Sequence, residues 1–196
     1  MIEPTQFETP TNLDFEKSLM FFHAYMYGPL QGKLRLYVAR QIPPGSVAMS
    51  SDWEVFASML VNDLGRKLGA GIDLANNEVK SAKQSGSYEY QYHKNTGREK
   101  LAKDMTVGHL FFEYHDNLRE VHLRWLHGSA LVERFFQKWL DEYPDPYGTR
   151  YRKQIPFGFV KKNGVLLMTL KDGEVVFPVL SKGQQRVRTT GEGPKG

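Results

Sequence analysis

Asp73, Glu78 and Lys80 fall within one short stretch, GAGIDLANNEVKSAK, running from Gly69 to Lys83. Two carboxylates this close repel each other unless something positive sits between them. If Asp73 ends one short strand and Glu78-Val79-Lys80 lies on the next, with the turn at Asn76 and Asn77, the two-residue period of a strand settles their faces. It puts Glu78 and Lys80 on one side and Val79 toward a core. Two hard carboxylate oxygens beside an open position fit Mg2+, which keeps several waters and often completes its shell with phosphate oxygens. A lysine there can orient, or help deprotonate, the attacking water and offset charge on a phosphorane-like transition state, which is metal-assisted phosphodiester hydrolysis. An acid-x-Lys triplet occurs once in this chain, and chance supplies roughly one or two at this composition. The triplet therefore carries nothing by itself. Its context does: an apolar run ending in Asp73, a turn, an amphipathic helix before and a basic aromatic segment after. The bland alternative is a set of strand charges forming ordinary surface ion pairs.

The elements that must position these residues belong to a chain of 196 residues with 40% hydrophobic content. That is enough for one domain with a real core. No cysteine is present, which excludes disulfides, thiolate nucleophiles and cysteine-ligated zinc. The acidic, proline-broken start MIEPTQFETPTNLDFEK lacks the basic and apolar regions of a signal peptide, and no segment reaches the length of a membrane span. The expectation is a cytoplasmic protein that does not enter a membrane. The net charge is only +4, but it is unevenly spread. Six Lys or Arg against two acids lie between Lys80 and Lys103, and ten against three from Arg150 to Gly196. Such regions, one of them interleaved with tyrosines, suit a polyanion, although solvation of a surface explains charge runs equally well.

LDFEKSLMFFHAYMYG, Leu13 to Gly28, predicts an aromatic helix that packs against something, and KLRLYVARQI alternates as a strand that PPG ends. SSDWEVFASMLVNDLGRKLG predicts a helix with Ser51 or Asp52 as N-cap, Gly69 as stop, and Trp53, Phe56, Ala57, Leu60, Val61, Leu64 and Leu68 on its apolar face. HLFFEYH and REVHLRWL read as a hairpin turning at Asp116 and Asn117. Ser129 is the expected cap of a helix through ALVERFFQKWLDEY. PFGFV, VLLMTL and VVFPVL read as strands joined by turns at KKNG and KDGE. Residues 1–50 thus form a helix and a strand, a candidate dimerisation element. Residues 51–180 form the core, and 181–196 a flexible basic tail.

The order helix, ID…EVK, polar segment, two strands, helix resembles the PD-(D/E)XK nuclease superfamily, and within it type II restriction endonucleases of the PvuII type, from about Leu60 to about Val165. NNEVKS is similar to the family's second acid, lysine and serine, and HLFFEY and LREVHLRWL to its next two strands. FFQKWLDEY and QIPFGFVKKNG match its late helix and closing strand. The resemblance implies an α+β fold with a central mixed sheet flanked by helices, and a Mg2+-dependent endonuclease. Asp73 and Glu78 would be metal ligands, the Val79 carbonyl a third, and Lys80 the catalytic lysine. It implies that Gln91, His93, Lys94 and Asn95 read base edges in the major groove, while Arg98, Lys100 and Lys103 hold phosphates. The implied partner is double-stranded DNA with a palindromic site, matched by a homodimer in which each subunit cuts one strand. This chain departs from the PvuII type, which carries consecutive histidines where His93-Lys94-Asn95 stand and a tyrosine where Asp104 or Met105 stands. A different recognition sequence follows.

Other residues admit two readings. His109, His115, His122 and His127 crowd one hairpin, but alternation splits them and their acids are not at zinc-ligand spacing. Glu54 is either a third acid for the metal or a first-turn glutamate favoured by the helix dipole. Tyr88, Tyr90 and Tyr92 either stack bases or pack a strand face. The same three catalytic residues would also serve a structure-selective nuclease such as a junction resolvase or mismatch nickase. A non-catalytic DNA-binding module would keep the basic segment without cutting, and a purely structural protein would lack salt-dependent DNA affinity as well.

Overall fold

The structure is a computed structural model that describes residues 9–39, 50–65, 71–93, 95–144 and 151–178. Its strands are β1 (Asn77–Lys83), β2 (Ser87–Tyr92), β3 (Gly108–Tyr114), β4 (Glu120–His127), β5 (Tyr151–Pro156), β6 (Val165–Lys171) and β7 (Glu174–Phe177). Five of them make a central sheet in the order β1-β3-β4-β6-β7, and β2 and β5 form a separate antiparallel ribbon. β1 and β3 run parallel while the other neighbours in the sheet run antiparallel, so the sheet is mixed. Two parallel strands need a long crossover. Here that crossover carries β2 and α4 (Gly97–Asp104), and it crosses the sheet face that bears Glu78 and Lys80.

Helices cover both faces, so the fold is α+β with a central mixed sheet between helices. On one face Val79, Leu110, Phe112, Val121 and Leu123 pack against α1 (Phe15–Phe21), the segment that continues it, and α3 (Ser50–Val61). Trp53 stacks on Phe112 with ring centroids 4.7 Å apart. On the other face Ala82, Phe111 and Leu126 meet the ribbon tyrosines, Leu101 of α4, and Phe136 and Trp139. The latter two lie on a helical run composed of α5 (Ser129–Leu131), a π-helical turn Val132–Phe136 and α6 (Gln137–Asp141). Covered on both sides, β3 is buried along its whole length. Among the described residues no helix is long and apolar enough to cross a membrane.

Four sequence expectations are corrected. Lys33–Ala39 is helical: α1 runs on through a π-helical stretch, Phe22–Tyr27, into α2 (Gly28–Ala39). Pro29 has no N–H and its ring crowds the carbonyl four residues back. The wider π turn just before it, closed by the Gly28 N–H donating to the His23 carbonyl, accommodates this. The alternation in KLRLYVA was a weak guide, since Lys, Leu and Arg are good helix formers. α3 begins at Ser50 and stops at Val61, with Asn62 at φ 50°, so Ser51 and Asp52 lie inside the first turn and Leu64 is exposed rather than core. Ser129 is the first helical residue and not a side-chain cap. Phe157–Asn163, expected as strand and turn, is a short helix, α7, whose Val160 enters the core, and the strand before it is β5. The β3–β4 hairpin and the Asp172-Gly173 turn between β6 and β7 agree with expectation. Leu68, Gly69 and the tail 181–196 lie outside the described residues.

Candidate active site

Among the described residues, 71–76 before β1 form an irregular bend and not a strand, with Leu74 making an isolated bridge to Gly65. Asp63, just past the end of α3, holds this bend. Its carboxylate accepts from the Asn76 backbone N–H at 2.9 Å, from the Asn76 side-chain amide at 3.3 Å and from the Asn77 amide at 2.9 Å. The bend returns Asp73 over the start of β1. Its Oδ2 accepts the Val79 N–H at 2.9 Å, and its own N–H donates to Glu78 Oε2 at 3.1 Å. Backbone bonds thus set two acids side by side, which explains how they stay close without a strand pair.

Period two then does what the sequence implied. Val79 enters the core, and Glu78 and Lys80 face the other side. Glu78 is fully buried. Its Oε1 accepts from Lys80 Nζ at 2.5 Å and from Lys100 Nζ at 2.5 Å. Lys80 also lies 3.7 Å from Asp73, and Lys100 lies 3.3 Å from Asp104. The ammonium groups face aromatic rings, Lys80 5.0 Å from the Tyr90 centroid and Lys100 5.8 Å from that of Tyr92, an added cation–π attraction. Behind them, His109 Nε2 meets the Asp104 carbonyl at 2.7 Å and its Nδ1 meets Tyr90 Oη at 2.9 Å. A carbonyl only accepts, so Nε2 carries the proton and Nδ1 accepts from the tyrosine. Tyr92 donates to Asp104 Oδ2 at 2.9 Å.

Burial and charge act in opposition here. Burial disfavours ionised Glu78, but Lys80 and Lys100 outweigh it and hold the carboxyl well below its usual range. Burial would likewise discharge Lys80, yet Glu78 and Asp73 keep it firmly cationic. Asp73 is raised by burial, which Lys80 only partly offsets. Glu54 is raised by burial and by the Asp73 charge. Burial, then Glu78, pushes Asp104 up to about 7. Burial drives His109 down to about 4 and keeps it neutral.

A cleft of about 550 Å3 opens over the cluster, lined by Glu54, Asp73, Glu78, Val79, Lys80 and Lys100, with Gln91 and His93 at its ribbon side. Glu54 therefore faces the site and is more than a first-turn charge. The donor set fits Mg2+. Glu54, Asp73 and Glu78 border one cleft, and their carboxylate oxygens are the hard donors that would hold such an ion. Burial, first of all, raises the Asp73 and Glu54 carboxyls, a cost that a bound cation would offset.

The residues expected to meet DNA divide. His93 and Asn95 are exposed, as are Arg98 and Lys103 on α4, while Lys94 lies outside the described residues. Arg98 stacks over Tyr143, 5.3 Å from its centroid. Lys100 does not join them. It points inward to Glu78 and Asp104 as part of the acid–lysine cluster and lines the cleft, apart from the exposed Arg98 and Lys103. Tyr88, Tyr90 and Tyr92 are buried at 1%, 0% and 0% exposure and cannot stack bases. They form the inner wall of the ribbon. The four histidines do not converge. His109 is buried under the ribbon, His115 and His122 contact Glu120, and His127 contacts Ser129.

Reading the sequence missed Lys100 and Asp104 as members of the cluster. Their i,i+4 spacing on α4 marks them as a pair, but nothing local points to Glu78. No protein-family model matches this chain. No curated protein matches it either.

Proposed function

We propose that this chain is a Mg2+-dependent endonuclease of the PD-(D/E)XK type, with the restriction-endonuclease-like fold, that hydrolyses phosphodiester bonds of double-stranded DNA at a specific palindromic site as a homodimer. The observation that carries this reading is the meeting of Asp73, Glu78 and Lys80 at one cleft, from an irregular bend and one strand, in the acid, acid-x-Lys order. Asp73 and Glu78 would hold the ion, with the Val79 carbonyl and Glu54 beside them. Mg2+ bound there supplies a Lewis acid for the water nucleophile and charge neutralisation at the phosphate. Lys80, held cationic by Glu78 and Asp73, donates hydrogen bonds to the attacking water or to a phosphate oxygen as negative charge builds, rather than taking a proton. Water attacks phosphorus and the P–O ester bond on the far side breaks, yielding a phosphate monoester and a free hydroxyl.

The β2–β5 ribbon supports a duplex substrate, because a two-stranded ribbon fits the major groove. With the tyrosines turned inward, Glu89 and Gln91 lie on its other face, opposite Gln154 and Arg152 in register. Gln91 and His93 border the cleft, so base reading and cutting would be adjacent. Arg98 and Lys103 on α4 offer phosphate contacts nearby.

Incubation with phage DNA and Mg2+ tests the reading. Discrete fragments are expected, with none from Asp73→Asn, and Ca2+ should support binding without cutting. Full activity of that variant, or cleavage in chelator, would overturn the site. Preference for branched over linear duplex would shift the reading to a structure-selective nuclease.

A further inference from the structure

Both carboxylate oxygens of Glu78 already have partners. Oε2 takes the Asp73 N–H, and Oε1 is shared by two ammonium groups, Lys80 and Lys100. A divalent cation that takes Glu78 through Oε1, alone or together with Oε2, therefore displaces a lysine from it, whereas binding through the second lone pair of Oε2 alone would leave both lysines in place. The two lysines are not equivalent. Lys80 sits on the same strand as Glu78, and its second carboxylate is Asp73, itself a proposed ligand. Lys100 comes from α4, and its second carboxylate is Asp104, which lies outside the ligand pair, with Asp104 Oδ1 at 3.3 Å and Oδ2 at 3.4 Å from Nζ. The distances are long for ammonium–carboxylate bonds and leave room to shorten. Asp104 is fully buried and fixed by Tyr92 at 2.9 Å, and the Tyr92 ring lies beside the lysine.

We propose that Lys100 is an internal counter-cation that occupies Glu78 until a divalent ion arrives and then transfers to Asp104. Lys100 and Asp104 are positioning residues in this scheme. The ammonium holds Glu78 ionised and oriented in the free protein, where a bare carboxylate would otherwise be confined in a buried site. It competes with the incoming ion, so it sets the metal concentration at which the site loads. Asp104 gives the displaced charge a buried partner, so loading leaves no unpaired ammonium. The proposal rests on Asp73 and Glu78 being the ligands.

The test is Mn2+ affinity of the full chain without DNA, by calorimetry and by electron paramagnetic resonance of the free ion. Lys100→Gln should tighten Mn2+ binding about ten-fold or more, because one competing charge is gone. Asp104→Asn should weaken it several-fold in the parent chain and have no effect in the Lys100→Gln background. If Asp104 acted only through its negative charge, it would weaken binding equally in both backgrounds, and that result would overturn the transfer. So would Lys100→Gln binding no tighter than the parent. Should Lys100→Gln not fold, the unsubstituted protein crystallised with Ca2+ decides. Lys100 Nζ on Asp104 and off Glu78 supports the proposal, and Lys100 still on Glu78 with the ion bound refutes it. Absence of Mn2+ binding in the parent chain and both variants would instead remove the metal reading on which the proposal depends.

Discussion

Glu78→Gln removes one negative charge from beneath two ammonium groups and changes almost no volume, so it isolates the electrostatic part of the site. Glu78 has no exposed surface and meets Lys80 and Lys100 at 2.5 Å each. Removing one partner of a buried ion pair typically costs about 3–5 kcal/mol, because the other charge stays buried and uncompensated. Both lysines keep a second carboxylate, Asp73 at 3.7 Å and Asp104 at 3.3 Å, which places the expected loss near the low end, about 3 kcal/mol. In a domain of this size that lowers the melting temperature by about 6–12 °C. Asp73→Asn should cost less, about 1 kcal/mol, since burial already disfavours that charge and Lys80 retains Glu78. Calorimetry and urea unfolding at neutral pH in chelator measure both variants, and cleavage assays should find both inactive. Adding Lys100→Gln to Glu78→Gln restores charge balance and should recover part of the loss. Equal stabilities of Glu78→Gln and the parent, within about 0.5 kcal/mol, would refute the view that the carboxylate holds the cluster together.

Two groups should tie stability to pH with opposite signs. His109, held down to about 4 against an ordinary 6.5, contributes stability that is complete above 6.5 and lost as pH falls toward 4, since only the unfolded chain takes the proton in that window. Asp104, pushed up to about 7 from 3.8, has the reverse effect: the folded chain takes the proton first, so stability rises as pH falls through 7. The parent should therefore change little between pH 6.5 and 5, whereas Asp104→Asn, left with the histidine alone, should lose about 2 kcal/mol over that range in urea unfolding; a flat profile for the variant would refute the assignment. For DNA, Arg98→Ala or Lys103→Ala should weaken cognate and random duplexes alike and reduce the salt slope by about 0.9 for each phosphate no longer neutralised. Gln91→Ala should cost about 1–3 kcal/mol on cognate DNA alone. Equal losses on cognate, one-base-changed and random duplexes would place base reading elsewhere, with Arg152 and Gln154 across the ribbon the next residues to substitute.

What the sequence by itself determined is what depends on short-range period and turn chemistry. The strand period around Val79 put Glu78 and Lys80 on one face, because side chains alternate whatever the strand pairs with. The β3–β4 hairpin was legible for the same reason, in the alternation of Val121, Leu123 and Trp125 with Glu120, His122 and Arg124. Where local patterns were ambiguous, packing decided. Lys33–Ala39 alternates like a strand but continues a helix, and Phe157–Asn163 is apolar enough for either state. Tyr88, Tyr90 and Tyr92 had one period under both of their readings. Only the sheet and helices that close over the ribbon settled them as core. Asp73 reached Glu78 through a bend pinned by Asp63, which needed no strand. Lys100 reached it across 22 positions of sequence because the parallel β1–β3 crossover lays α4 over the acids. A two-residue period specifies a face, but which distant charges share that face depends on strand order and crossover path, and these follow from burying the whole chain at once.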